Sequence, residues 1–246
     1  RALIDGTVDW LVVDHYGIDS RWLSAMRRHA RKIAVVDELA DRPLDCDLLV
    51  CQSLPGEMIG VRFDGCLPDM AQKMIGPQFA LLRPEFAEVR QGAVARRAQL
   101  DRPQRIFVAN GYMDAGGLVP LALQALRQCP DLVVDVTIGS VSPVIDEVRA
   151  LASAMPQVTL HEDATEMAAL MAAADFAIGG GGVSSFERAT VGLPTLAVSV
   201  ADNQFDLLRF VAEQGAVRLL GNLADLTADH IAKAVQALID APSDWR

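Results

Sequence analysis

The chain of 246 residues and 26.5 kDa has room for one large domain or two of ordinary size. Hydrophobic residues make up 51% and charged residues 22%, a globular balance that excludes disorder for most of the length. A net charge of −10 argues against a nucleic-acid partner, and no apolar run approaches the roughly 18 residues needed to span a bilayer.

The acidity is lopsided. Residues 1–103 carry 14 basic and 15 acidic side chains, whereas residues 104–246 carry 8 and 17. An anion held by the second half must therefore meet backbone N–H groups and helix N-termini rather than a lysine cluster. Four cysteines (Cys46, Cys51, Cys66, Cys129) show no CxxC pairing and no neighbouring histidine. They read as free thiols in a reducing cytoplasm, with neither a metal site nor a cofactor implied.

In chain order, the opening Arg1-Ala-Leu-Ile-Asp-Gly6 lacks Met and resembles the last turn of a helix closed by Gly6, as expected of a fragment. Asp9–Val13 is a short apolar strand, followed by Asp14-His15-Tyr16-Gly17. Ser20 is a candidate N-cap for a helix through Ala30, with His29 a charge partner for its C-terminus. Lys32–Val36 and Cys46–Cys51 read as two further strands, and residues 53–78 as loop. Three strands and one clear helix make a small sheet, so preceding βα units are expected to be missing. Gln91–Gln104 is polar without an apolar face and reads as a linker helix plus a turn at Pro103, with a domain boundary there.

After the linker a regular alternation begins. Strands are predicted at Arg105–Ala109, Leu132–Ile138, Val158–His161, Phe176–Ile178 and Thr195–Val200. Helices are predicted near 116–128, 143–155, 165–174, 184–191, 204–214 and 228–241. Continuous apolar strands between amphipathic helices predict a parallel sheet covered on both faces, with its ligand outside the strand C-termini. The expected organisation is α/β with two Rossmann-like doubly wound domains, the first truncated. Its segments are 1–90, a linker at 91–103, the second domain at 104–241 and a tail at 242–246.

The strongest chemical signal is Gly179-Gly-Gly-Gly-Val-Ser-Ser-Phe-Glu-Arg188, after a strand and opening a helix. Gly181 and Gly182 would let backbone approach a ligand through φ values that other residues avoid. Ser184 or Ser185 would cap the helix, whose free N–H groups and dipole attract a phosphate. Glu187 in the first turn would favour the dipole or accept two ribose hydroxyls. A flexible turn with an ordinary capping acid explains the same residues. Asn203 and Gln204, after the next strand, are neutral donors suited to a diphosphate or sugar; equally, Asp202 or Asn203 is a plain N-cap.

Asn110–Gly117, which contains Gly111, is a third candidate phosphate-facing loop or a plain turn. Asp14, His15 and Tyr16 gather polar groups at a strand end, where His15 offers acid/base chemistry or a structural contact. His161 is a candidate lining residue, and His230 a solvated helix residue. No GxSxG, HExxH, Walker A or GxGxxG occurs.

DWLVVDHYGID (9–19), VDELADRPLDCDLL (36–49), GPQFALLRPEF (76–86) and GGGGVSSFERATVGLPTLAVSVADNQ (179–204) together resemble the bacterial UDP-2,4-diacetamido-2,4,6-trideoxy-β-L-altropyranose hydrolases of pseudaminic acid biosynthesis. That family is similar to the GT-B glycosyltransferase that makes lipid II, and the resemblance covers nearly all of the chain. It implies two Rossmann-like domains about a cleft, with UDP held mainly by the second. The implied reaction is metal-free hydrolysis of a UDP-sugar at the anomeric carbon, with loss of UDP and inversion. Tyr16 and Asn203 match positions around the sugar and its reacting centre, and Glu187 the position that holds ribose hydroxyls. Ser184 and Ser185 match the diphosphate-facing helix start, and Gln204 lies beside the sugar.

Two departures stand out. Gly111-Tyr112-Met113-Asp114 replaces the family's G-G-[ST]-D, and the G-x-G-H that carries its general base is absent from the 246 residues. Without that base the chain is expected to bind UDP but hydrolyse almost nothing. A GT-B glycosyltransferase and a non-catalytic UDP-sugar-binding module are the alternatives.

Overall fold

The computed structural model describes residues 6–53 and 60–241, without the side chains of Asp202 and Asn203. It divides between Leu81 and Leu82 into two compact units.

The first unit is a parallel sheet of β1 (Val8–Asp14), β2 (Ala30–Val36), β3 (Leu48–Cys51) and β4 (Gln72–Ile75), in that order. β4 lies inside the stretch expected to be loop. It is polar and largely exposed, so no apolar run marks it. Helix α1 (Ser20–Met26) is capped by Asp19 rather than Ser20: the Asp19 carboxylate accepts from the N–H groups of Arg21 and Trp22. The helix stops well before Ala30, because Ala30 already pairs with Val8 in the sheet. His29 is therefore off the helix, where its Nε2 accepts from Arg28 at 3.0 Å. β1 forms one margin of the sheet and leaves Trp10 and Val12 exposed.

The second unit opens with α2 (Pro84–Arg97). Five βα pairs follow: β5 (Arg105–Ala109) and α3 (Leu118–Leu126), β6 (Val133–Ile138) and α4 (Ile145–Ser153), β7 (Val158–Glu162) and α5 (Met167–Ala173), β8 (Phe176–Gly180) and α6 (Val183–Thr190), β9 (Thr195–Ser199) and α7 (Asp202–Glu213). Then come β10 (Arg218–Asn222), which the sequence pattern does not reveal, and α8 (Ala228–Asp240). All six strands are parallel in the order β10-β9-β8-β5-β6-β7. This is the doubly wound order that reverses direction between two neighbours, here β5 and β8, and opens a crevice beyond their C-termini.

Alternation along the strands divides the core. Ile106, Val108, Val134 and Val136 pack on one face with Leu123, Val148 and Val235 of the helices. Phe107, Ala109 and Ala177 pack on the other with Phe86 and Met171.

α2 corrects the expected boundary at residue 90 and the linker over 91–103. Its Phe86, Ala93 and Arg97 are buried within the second unit. Arg97 donates to the carbonyls of Met171 and Ala174 at 2.9 Å and of Val191 at 2.7 Å, capping the ends of α5 and α6. Arg96 bonds Asp175 at 2.6 Å, and that carboxylate receives the N–H groups of Gln104 and Arg105. Burial pushes the Arg97 guanidinium down to about 10. A helix docked by arginines onto carbonyls needs no apolar stripe, so its sequence resembles a linker. No helix among the described residues is long and apolar enough to cross a membrane.

Candidate functional site

Two loops meet at the reversal between β5 and β8. The first, Asn110–Gly117, is organised by the buried Asp114 carboxylate. It accepts from Asn110 Nδ2 at 2.6 Å and from the N–H groups of Leu118 and Val119 at 3.0 and 2.9 Å, capping α3 from within the loop. Burial raises the Asp114 carboxyl above its usual range, partly opposed by these bonds. Gly111 and Gly117 take φ of +65° and +76° to complete the turn.

The second loop is the glycine tract, and its glycines serve a purpose other than the expected one. None of Gly179–Gly182 has a positive φ. A Cβ on Gly179 would sit 2.8 Å from the Ala109 carbonyl, and one on Gly180 would overlap Asn110 Oδ1. One on Gly181 would meet Leu208 at 2.8 Å. Three of the four glycines are thus required by neighbouring protein atoms, and only Gly182 faces open space.

Neither serine caps α6. Ser185 is buried and its hydroxyl donates back to the Gly182 carbonyl at 2.7 Å, while Ser184 Oγ accepts from Arg188 at 3.3 Å. Gly182 is the N-cap, and among the described residues no side chain caps the helix. Gln204 Oε1 accepts from the Gly181 N–H at 3.1 Å, fixing the start of α7 against the glycine turn. Ala201, not Asp202 or Asn203, is the N-cap of α7. The Asn203 side chain lies outside the described residues.

Beside α6 lies a cavity of about 210 Å³, lined by Gly111, Tyr112, Thr137, Ile138, Asp163, Met167, Ser184 and Glu187 among others. Glu187 is half-buried, and no hydrogen bond among the described residues engages its carboxylate. Burial raises its carboxyl above the usual value, opposed by Arg83 and Arg188. Beneath the turn, Arg188 is fully buried and burial pulls its guanidinium down to about 10, so it stays charged at neutral pH. His161 is not a free lining residue: its Nε2 bonds Asp135 at 2.9 Å, in an ion pair shared with Arg105.

The Asp14-His15-Tyr16 group belongs to the first unit, at the C-terminal end of β1. All three residues are exposed. His15 Nδ1 accepts from the Gly17 N–H at 2.9 Å, which leaves Nε2 as the ring's remaining position. The Tyr16 hydroxyl donates to Glu38. Burial, the Glu38 bond and the charges of Glu38, Asp37 and Asp14 all raise its pKa. Residue-by-residue reading misses Asp37 and Arg42, which set this turn. Asp37 is fully buried and pairs with Arg42 at 2.7 Å, and Arg42 also donates to the carbonyls of Ile18 and His15. The signal available is the VDELADR segment, whose buried acid follows β2 directly.

The structure thus gathers Gly111, Ser184 and Glu187 around one cavity, and Gly181 with Gln204 beside it. Among the described residues no cluster of three or more His, Cys, Asp or Glu is placed to hold a metal ion.

Known structures share this architecture. MurG of Acinetobacter baumannii is 18% identical, with 89% of this chain and 67% of that one covered at a TM-score of 0.59. The UDP-GlcNAc 2-epimerase from Neisseria meningitidis, solved with UDP-GlcNAc bound, is 12% identical, with 92% and 73% covered at a TM-score of 0.63. The fold is that of the GT-B glycosyltransferases and epimerases, and at these identities the likeness shows the fold alone.

No protein-family model matches the chain. The spore coat polysaccharide biosynthesis protein SpsG of Bacillus subtilis (strain 168) is 33% identical over 233 residues, 93% of this chain and 66% of that protein. The chain is similar to that protein over nearly all of its own length and spans just under two thirds of the relative's.

Proposed function

We propose that the second unit binds the UDP moiety of a UDP-linked sugar, as the nucleotide-holding part of a sugar-nucleotide hydrolase. The observation that carries this is Glu187, a carboxylate with no hydrogen bond from the described residues, lining a cavity at the sheet's reversal point beside a helix start that no side chain caps. Glu187 accepts the two ribose hydroxyls. The diphosphate lies against Gly182 and the first-turn amides of α6, where dipole and N–H groups substitute for lysines in a half-chain of net charge −9. Ser184 faces the diphosphate, and Gln204 and Gly111 flank the sugar. The likeness to a polysaccharide biosynthesis protein, and the UDP-GlcNAc carried by one structural relative, support this reading.

The reaction is attack of water on the anomeric carbon. A base takes the water's proton, the new C–O bond forms as the sugar–diphosphate bond breaks, and UDP leaves with the electron pair. The 246 residues contain no G-x-G-H.

The test is a UDP titration, followed by a UDP-release assay on a UDP-linked diacetamido-trideoxy sugar with the product anomer read by NMR. UDP should bind these 246 residues, with little turnover. Failure to bind UDP would overturn the reading, and full turnover would make His15 the leading base.

A further inference from the structure

A second cavity lies at the opposite end of the two strands that frame the crevice. β5 and β8 begin beside it, and the end of α2, the turn that follows and α8 enclose it. Its volume of about 300 Å³ meets the lower end of the roughly 300–1,000 Å³ range of small-molecule pockets. Pro103, Phe176 and Leu238 are its buried apolar lining, while Val94 and Ala98 of α2 line it nearer the solvent. Gly192 takes φ of +62°, and a Cβ there would come within 2.8 Å of Val94. The loop after α6 therefore packs directly on α2 at this wall.

The charges around this apolar space do not cancel. Asp175, the one carboxylate of the lining, is already engaged by Arg96 and by the N–H groups of Gln104 and Arg105. Arg97 is buried in the wall, and its bonds run to main-chain carbonyls rather than to a carboxylate. Arg102 is exposed, and no hydrogen bond or ion pair among the described residues engages its guanidinium. The cavity is thus a locally positive spot in a half-chain of net charge −9.

A polyhydroxyl ligand would find the Arg97 and Asp175 groups already bonded. An apolar body, by contrast, gains by leaving water for this lining, and an anion attached to it meets Arg102 without breaking an existing pair.

We propose that this cavity is a second ligand site, separate from the crevice, which takes a compact apolar carboxylate. Arg102 reads the anion, and Phe176, Leu238 and Pro103 hold the body. The site stands independently of the nucleotide reading.

NMR chemical-shift titration of 3-phenylpropionate and its neutral amide, 3-phenylpropionamide, tests it in wild type, Arg102→Gln and Ala98→Phe, with folding checked by circular dichroism. Wild type should bind the acid with a Kd in the low-millimolar range or tighter, the strength that ligand efficiency allows about eleven heavy atoms. Shifts should centre on Arg102, Phe176 and Leu238 and persist in saturating UDP. The amide should bind at least ~threefold more weakly, the scale of a partly exposed ion pair. Arg102→Gln should remove that difference and leave the affinity for the amide unchanged. Ala98→Phe sets a ring at the mouth and should weaken both ligands at least ~tenfold. Absence of low-millimolar binding, shifts centred on the crevice, or displacement by UDP would overturn the site. Equal wild-type affinity for acid and amide, or an acid preference that survives Arg102→Gln, would overturn the reading of the anion.

Discussion

Arg188 donates from a fully buried guanidinium to the Gly180 carbonyl at 2.5 Å, tying the end of β8 to the helix that follows it. A second nitrogen reaches Ser184 Oγ at 3.3 Å, while Nε is buried without a partner among the described residues. The residue therefore fixes the glycine turn from below and carries an unsatisfied donor in doing so. Arg188→Met should lower stability by about 1–3 kcal/mol, the cost of orphaning a buried carbonyl, partly offset by loss of the unpaired Nε–H. Arg188→Ala should cost more, because it also leaves a cavity. Urea denaturation reads both, and a methionine variant as stable as wild type would contradict the bracing role.

Gly181 and Gly182 separate packing from ligand approach. Gly181→Ala forces a Cβ to 2.8 Å from Leu208 and should destabilise by about 1–3 kcal/mol. Gly182 has φ of −75° and a methyl group added there meets open space, so Gly182→Ala should stay within about 0.5 kcal/mol of wild type. The same substitution should weaken UDP binding, since the added methyl faces the proposed phosphate position. Thermal melts beside UDP titrations decide this, and full UDP affinity in Gly182→Ala would remove Gly182 from the phosphate site.

The clasp on Tyr112 should respond to acid. Hydrogen bonds from Tyr112 and Ser140 hold the Asp163 carboxyl down to about 2 from a reference of 3.8. Because the folded value is the lower, the contribution is complete above the unfolded value and disappears as pH falls through the folded one. The urea-midpoint gap between wild type and Asp163→Asn should therefore narrow from about pH 4 to about pH 2. A gap independent of pH would mean that the bonds contribute nothing to the folded state.

Much of the second unit is legible in the sequence because parallel strands buried on both faces are written as continuous apolar runs. Arg105–Ala109 matches its expected bounds to the residue, and the strands beginning at Val158, Phe176 and Thr195 start where expected. β4 and β10 lie at sheet margins with little buried surface, so their short sequences carry no such signature. α2 reads as a linker because arginine-to-carbonyl docking leaves no apolar period.

The glycine tract is visible as a feature, but its cause is hidden. Gly179, Gly180 and Gly181 answer to Arg188, Asn110 and Leu208, and contacts that distant in sequence cannot be seen from local spacing. Tyr112 likewise stands out in the sequence only as a departure from a pattern, and its contacts with Gly139 and Asp163 are visible only in the fold. Glu187 draws attention from sequence because an acid in the first turn of a helix after a glycine-rich strand end has a definite electrostatic consequence.

The most direct test of the account is calorimetric titration of UDP into wild type and Glu187→Ala. Removing a charged acceptor that holds two ribose hydroxyls should cost about 1.5–3 kcal/mol, roughly a tenfold to hundredfold loss of affinity, in a protein that remains folded. Unchanged UDP affinity in a folded Glu187→Ala would contradict the ribose assignment and the nucleotide site built upon it.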